Sequence, residues 1–171
     1  MVGMMGAGKT AVGTAVARIL GVPFRDSDDE IVKAAAMTIP EIFERDGEAF
    51  FRARESEVLA RLLRGAPCVL STGGGAFLAE GNRRMIAERG VSVWLKADLD
   101  VLWARVRHRT HRPLLRTANP RETLAQLLAA RAPVYAEAQV TVTSEAGLPV
   151  DEMAARVIAA LADLPDVLER T

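Results

Sequence analysis

Eight residues near the start of the chain, Gly3-Met4-Met5-Gly6-Ala7-Gly8-Lys9-Thr10, fit the spacing G-x-x-x-x-G-K-[ST] at every fixed position, and a helical pattern begins directly behind them. Glycines at these places let the backbone curl so that successive N–H groups point inward at phosphate oxygens, which side chains would block. Lys9 then brings a point charge to the outer phosphates, and the Thr10 hydroxyl suits a magnesium ion. Gly6, Ala7, Gly8, Lys9, Thr10 and Ala11 form the expected nucleotide-binding set, with ATP as phosphate source. The bland alternative, a glycine-rich turn with a solvated lysine, does not account for the helix that follows.

Four further groups of residues carry chemistry. Asp26-Ser27-Asp28 reads on its own as a helix cap with acidic residues in the first turn. Phe51-Arg52-Ala53-Arg54-Glu55 lies in a charged helical stretch that is, in isolation, a solvated face. Leu70-Ser71-Thr72-Gly73-Gly74-Gly75 is a strand end followed by three glycines, which lets a ring-shaped polyol lie against backbone N–H groups. The stretch from Arg105 to Arg131 also holds Arg107, His108, Arg109, His111, Arg112, Arg116 and Arg121, with no acid between Val101 and Arg121. A nucleic-acid patch is the rival reading of that stretch, but base-stacking aromatic residues are missing from it.

Taken with the phosphate loop, these groups resemble the shikimate kinases over nearly the whole chain. The resemblance implies ATP-dependent phosphorylation of the 3-hydroxyl of shikimate, a step of aromatic amino acid biosynthesis, with magnesium as cofactor. It implies that Asp26 holds magnesium through water beside Thr10, and that Asp28 binds substrate hydroxyls and is the base for the attacking one. Arg52 and Arg131 of Arg131-Ala132-Pro133-Val134-Tyr135 would grip the substrate carboxylate, with Gly73, Gly74 and Gly75 against the ring. Arg112 of Arg112-Pro113-Leu114-Leu115 would fold over the transferring phosphoryl group, and Arg105 would pack on the adenine. Lys9, Asp28 and Arg112 are thus the expected catalytic residues. Like those kinases, the chain lacks a Walker B acid after the 67–71 strand. A gluconate or nucleoside monophosphate kinase on the same loop, or a catalytically silent nucleotide-binding homologue, remains an alternative.

To position these residues the chain alternates short apolar runs with amphipathic stretches, which predicts an α/β fold of three α/β/α layers: a five-stranded parallel sheet with a mobile lid. Helices are expected over 9–20, 28–36, a short one from 38, 47–63, 82–88, 98–107, 121–132 (ended by Pro133) and 150–161. Strands are expected over 24–26, 67–71, 91–95 and 140–143. One kinase domain spans 1–171, its substrate-binding part at about 27–64 and its lid at about 108–120. Only Met1 and Val2 precede Gly3, so the first strand reads as truncated, with residues missing from the N-terminus.

Half of the 171 residues are apolar and 22 basic residues balance 22 acidic ones, which suits one soluble domain and removes the global field of a general nucleic-acid binder. Arginine, the residue that grips planar anions with paired hydrogen bonds, outnumbers lysine, which occurs only at positions 9, 33 and 96. Cys68 is the single cysteine, so no internal disulfide or thiolate metal site forms. No run has the length of a membrane span or the pattern of a secretory signal, so the expectation is a cytoplasmic monomer acting on ATP and shikimate, without nucleic-acid or membrane partners.

Overall fold

The computed structural model describes residues 1–108 and 115–164. The first helix, α1, runs over Lys9–Leu20 and stops where Gly21 adopts φ 68°, its N–H reaching back to Ala17 O and Arg18 O. After the strand β1 (Phe24–Asp26), α2 (Ser27–Ala35) starts earlier than expected because the Asp26 carboxylate caps it, accepting from Asp28 N at 2.9 Å. The two helices expected from 38 and 47 form one helical segment, α3 (Ile39–Leu63), broken at Gly47, where φ 82° and ψ 172° leave the helix. Its start is a capping box: Thr38 Oγ1 accepts from Glu41 N, and Glu41 Oε2 accepts from Thr38 N at 2.7 Å.

The strand β2 is confined to Val69–Ser71, since Pro67 has no N–H to give a ladder. A single 3₁₀ turn at Ala76–Leu78 leads into α4 (Glu80–Arg89), followed by β3 (Val93–Lys96) and α5 (Leu99–Val106). Pro133 does not end the next helix: α6 (Pro120–Tyr135) continues through it. So near the end the proline removes one hydrogen bond, and the last turn is held by the fully buried Tyr135. The strand β4 (Val140–Thr143) and α7 (Val150–Ala162) complete the described chain.

The five-stranded sheet is not what forms among the described residues. β1 pairs with β2 in parallel, Phe24 opposite Val69, and β3 pairs with β4 in parallel, Val93 opposite Val140. Between the pairs lies the segment before the phosphate loop. Thr72 N donates to Met1 O at 3.1 Å on one side, while Val2 N donates to Val93 O at 2.8 Å and Leu95 N to Val2 O at 3.0 Å on the other. Two residues make one bridge, Val2 to Trp94, rather than a ladder.

The main core packs α1, α7 and the strands around Val16, Leu59, Leu95, Leu102, Leu124 and Val157. A second cluster, Ile31, Ile42, Phe51 and Val58, ties α2 to α3. Asp26, Thr72 and Gly3 therefore sit at one end of the strands, where the phosphate loop leaves Val2. That carboxyl end is where parallel α/β sheets hold ligands.

Candidate active site

The phosphate loop is shaped by three glycines in the left-handed half of conformational space, Gly3 at φ 135°, Gly6 at 81° and Gly8 at 95°. Space as well as torsion demands glycine at position 6: a methyl group there would lie 2.7 Å from Val106 Cγ1 and 3.3 Å from Leu102 O, because α5 presses on the loop. Gly8 caps α1 without any side-chain bond, and no acidic residue stands in the first turn, so the helix N-terminus offers its N–H groups to an anion. Lys9 Nζ spans the loop, donating to Gly3 O at 2.8 Å and Met4 O at 3.0 Å. Thr10 and Ala11 are exposed on that first turn.

Arg105 braces the loop from α5. Its Nη1 donates to Gly6 O at 3.1 Å and Ser144 Oγ at 2.9 Å, and its Nη2 to Glu145 O at 3.1 Å. Partial burial pulls the guanidinium below its ordinary value. Composition and spacing carried no sign of Ser144 as its partner, which depends on how β4 ends beside α5.

Across from the loop, each of three consecutive glycines lies against a side chain expected at the site. A methyl group on Gly73 would lie 2.7 Å from Asp28 Oδ1 and 3.2 Å from Glu55 Oε1. One on Gly74 would lie 3.0 Å from Arg131 Nη1, and one on Gly75 would lie 2.7 Å from Arg52 Cζ. The glycines are thus required by the side chains that fill the space a Cβ would take. The Gly73 N–H donates to the buried Ser27 Oγ at 3.2 Å, which directs that N–H at α2 instead of at a ring.

The Asp28 carboxyl is pushed up to about 6, first by burial and then by the charges of Asp26 and Glu55, against the pull of Lys9. A carboxylate at that value is ionised near neutrality yet a far better proton acceptor than an exposed aspartate. Arg52 Nη1 donates to Glu55 Oε2 at 2.8 Å, and Nη2 reaches Glu48 at 3.5 Å. Glu55 is 1% exposed, and its carboxyl is raised by burial while Arg52 and Arg131 oppose the rise. Sequence reasoning did not single out Glu55, although its spacing of three residues from Arg52 on one helix was a usable signal.

So the structure brings Asp26, Asp28, Arg52, Gly73, Gly74, Gly75 and Arg131 together and places Gly6, Ala7, Gly8, Lys9 and Arg105 in one loop assembly. The Lys9 charge acts on Asp28, which links the two. Arg112 and the central part of the expected lid lie outside the described residues. Among the described residues no cluster of three or more His, Cys, Asp or Glu side chains could hold a metal ion, and no helix is long and apolar enough to cross a membrane.

A glycine-lined phosphate loop ahead of a helix, facing a polar acceptor pocket at the same end of a parallel α/β fold, defines a P-loop small-molecule kinase. The family model described as shikimate kinase matches residues 5–162. The shikimate kinase of Cereibacter sphaeroides is 73% identical over 169 residues, covering 99% of this chain and 84% of that one. Among solved structures, "Shikimate kinase from Acinetobacter baumannii in complex with shikimate" superposes with a TM-score of 0.89 at 40% identity, covering 95% of this chain and 90% of that one. The chain belongs to the shikimate kinase family. A gluconokinase from Sinorhizobium meliloti, 22% identical with a TM-score of 0.57 over 98% of this chain and 93% of its own, shares the fold alone.

Proposed function

We propose that this enzyme, an ATP-dependent shikimate kinase, transfers the terminal phosphoryl group of ATP to the 3-hydroxyl of shikimate, giving ADP and shikimate 3-phosphate for aromatic amino acid biosynthesis. The observation that carries the reading is the glycine run, where Gly73 meets Asp28, Gly74 meets Arg131 and Gly75 meets Arg52. Two arginines and one aspartate along a single glycine edge describe an acceptor with a carboxylate at one end and hydroxyls at the other. A nucleoside monophosphate or an open-chain sugar acid matches that edge less well.

In the proposed reaction Arg52 and Arg131 hold the carboxylate, and this fixes the ring so that its hydroxyl faces Asp28. Asp28 Oδ accepts the hydroxyl proton as the oxygen attacks phosphorus. Lys9 and the N-terminal N–H groups of α1 stabilise charge on the outer phosphates. By family resemblance Arg112, in a lid at about 108–120, covers the moving group and excludes water, and Arg105 meets the adenine. The Thr10 hydroxyl and the Asp26 carboxylate suit magnesium, a hard ion that takes one or two protein oxygens and keeps the rest of its shell for water and phosphate. Bound there, magnesium would neutralise charge on the phosphate oxygens. The same reading takes the enzyme to be a monomer acting in the cytoplasm, with residues 27–64 as its substrate-binding part.

A coupled ADP-release assay with shikimate, gluconate and AMP, followed by phosphorus NMR of the product, tests this. Shikimate-dependent ADP release with a new phosphate ester is the expected result. Release with gluconate or AMP but not shikimate would reassign the acceptor, and nucleotide binding without turnover would mark a silent homologue.

A further inference from the structure

Tyr135 is the only tyrosine in the chain, is fully buried, and belongs to none of the roles assigned above. Its hydroxyl donates to Gly74 O at 2.5 Å, a link from the last turn of α6 to the middle of the glycine run. The guanidinium of Arg131, one turn earlier on the same helix, acts on the same phenol: burial pushes the hydroxyl up from its ordinary value, and Arg131 opposes the rise. A point 3.5 Å from that oxygen and 3.0 Å from Arg131 Nη1 is where a Gly74 Cβ would stand, so phenol, guanidinium and glycine meet at one place. The ring is also anchored from behind. Its centroid lies 6.1 Å from that of Trp94, and Trp94 Cδ1 in turn lies 3.2 Å from where a Cβ on Gly3 of the phosphate loop would be.

We propose that Tyr135 is a positioning residue for acceptor recognition: by donating to Gly74 O and accepting from Arg131, its hydroxyl sets the carboxylate-gripping guanidinium at a fixed height over the glycine edge. A phenol has one proton to give. Once that proton is committed to Gly74 O, the oxygen lone pairs are left for Arg131, and the guanidinium loses the freedom to rotate away from the pocket. Phenylalanine would keep the packing on Trp94 and release both partners. Glu55 and Arg52 do not substitute, because their contacts lie at Gly73 and Gly75. The proposal rests on the shikimate reading above, since it concerns the same carboxylate.

Steady-state kinetics of Tyr135→Phe, Arg131→Ala and the double variant test it. Tyr135→Phe is expected to raise the KM for shikimate about tenfold while kcat and the KM for ATP stay within about twofold, the size expected for a lost hydrogen bond to a charged group. Because Tyr135 acts through Arg131, adding Tyr135→Phe to Arg131→Ala should change the shikimate KM little further. A merely structural tyrosine would lower the melting temperature and leave that KM alone, or would add its effect in full to Arg131→Ala. Either result overturns the proposal. Should Tyr135→Phe fail to fold, 3-fluorotyrosine incorporated into the wild-type chain gives one fluorine resonance from Tyr135 and decides alone. That line is expected to move on saturation with shikimate and to stay in place with ADP, and a line unmoved by bound shikimate overturns the assignment. Wild-type enzyme inert toward shikimate would bring down the functional reading together with this one. Normal wild-type turnover with an unaltered Tyr135→Phe KM brings down this one only.

Discussion

The phosphate loop occupies consecutive residues and takes its shape from glycines with positive φ, whereas the acceptor side draws Asp28 from α2, Arg52 and Glu55 from α3, the glycine run after β2, and Arg131 and Tyr135 from α6. In the first region the backbone itself is the feature presented, with the N-terminal N–H groups of α1 uncapped by any side chain. In the second, the backbone is a flat edge that side chains from three helices crowd against. On the proposed reading, function in the loop is therefore sensitive to torsion and single charges, while function at the acceptor edge is sensitive to which side chain fills each Cβ position.

Removing a charge from the loop gives the largest expected effect. Lys9→Ala should lower kcat by about a thousandfold with a modest change in the shikimate KM, because the charge acts mainly on the phosphates in the transition state. Turnover near wild type in a rapid-quench measurement would remove Lys9 from the mechanism. At the acceptor edge, Arg131→Ala should raise the shikimate KM about a hundredfold, the value of a charge-assisted pair, and leave ATP binding intact.

Two glycine substitutions sharpen the contrast. Gly6→Ala forces a residue with φ 81° into Val106 and Leu102, and should destabilise the fold by about 2 kcal/mol in chemical denaturation. Gly75→Ala has an allowed φ of −90° and meets only the movable Arg52 guanidinium, so it should leave stability nearly unchanged and raise the shikimate KM about tenfold. Equal losses of stability in both variants would erase the distinction between the two regions.

The smallest effect concerns pH. Asp28 has a folded-state carboxyl raised to about 6, above its ordinary 3.8, so its ionisation opposes folding as pH rises from about 4 to about 6, and the full penalty persists above that window. Asp28→Asn should thus be more stable than wild type at pH 7.5, by roughly 1–2 kcal/mol after discounting for partial exposure, and the gain should vanish near pH 3.5. In the wild type, kcat/KM should fall with decreasing pH below about 6 as the base becomes protonated. A profile flat down to pH 5 would assign the base elsewhere.

The loop was legible because its chemistry is local: spacing alone names Gly3, Gly8, Lys9 and Thr10. Arg52 and Arg131 were legible only through family resemblance, since the Arg52 stretch reads in isolation as a solvated face and the arginine-rich segment that ends at Arg131 has a nucleic-acid patch as its rival reading. Glu55, Ser27 and Tyr135 were given no role of their own because burial is what sets them apart, and burial arises where α2, α3 and α6 close on the glycine run. The same nonlocality explains Pro133. A proline near a helix end reads as a stop, but a buried tyrosine two residues later holds one more turn. The five-strand expectation counted the short Met1–Val2 segment, read as a truncated strand, and that segment makes one bridge rather than a ladder.

The most direct test of the whole account is a crystal structure of the enzyme with ADP and shikimate. The account predicts the ring carboxylate within about 3 Å of both the Arg52 and Arg131 guanidinium groups, with a ring hydroxyl at a similar distance from Asp28. A carboxylate lying away from both arginines would contradict it.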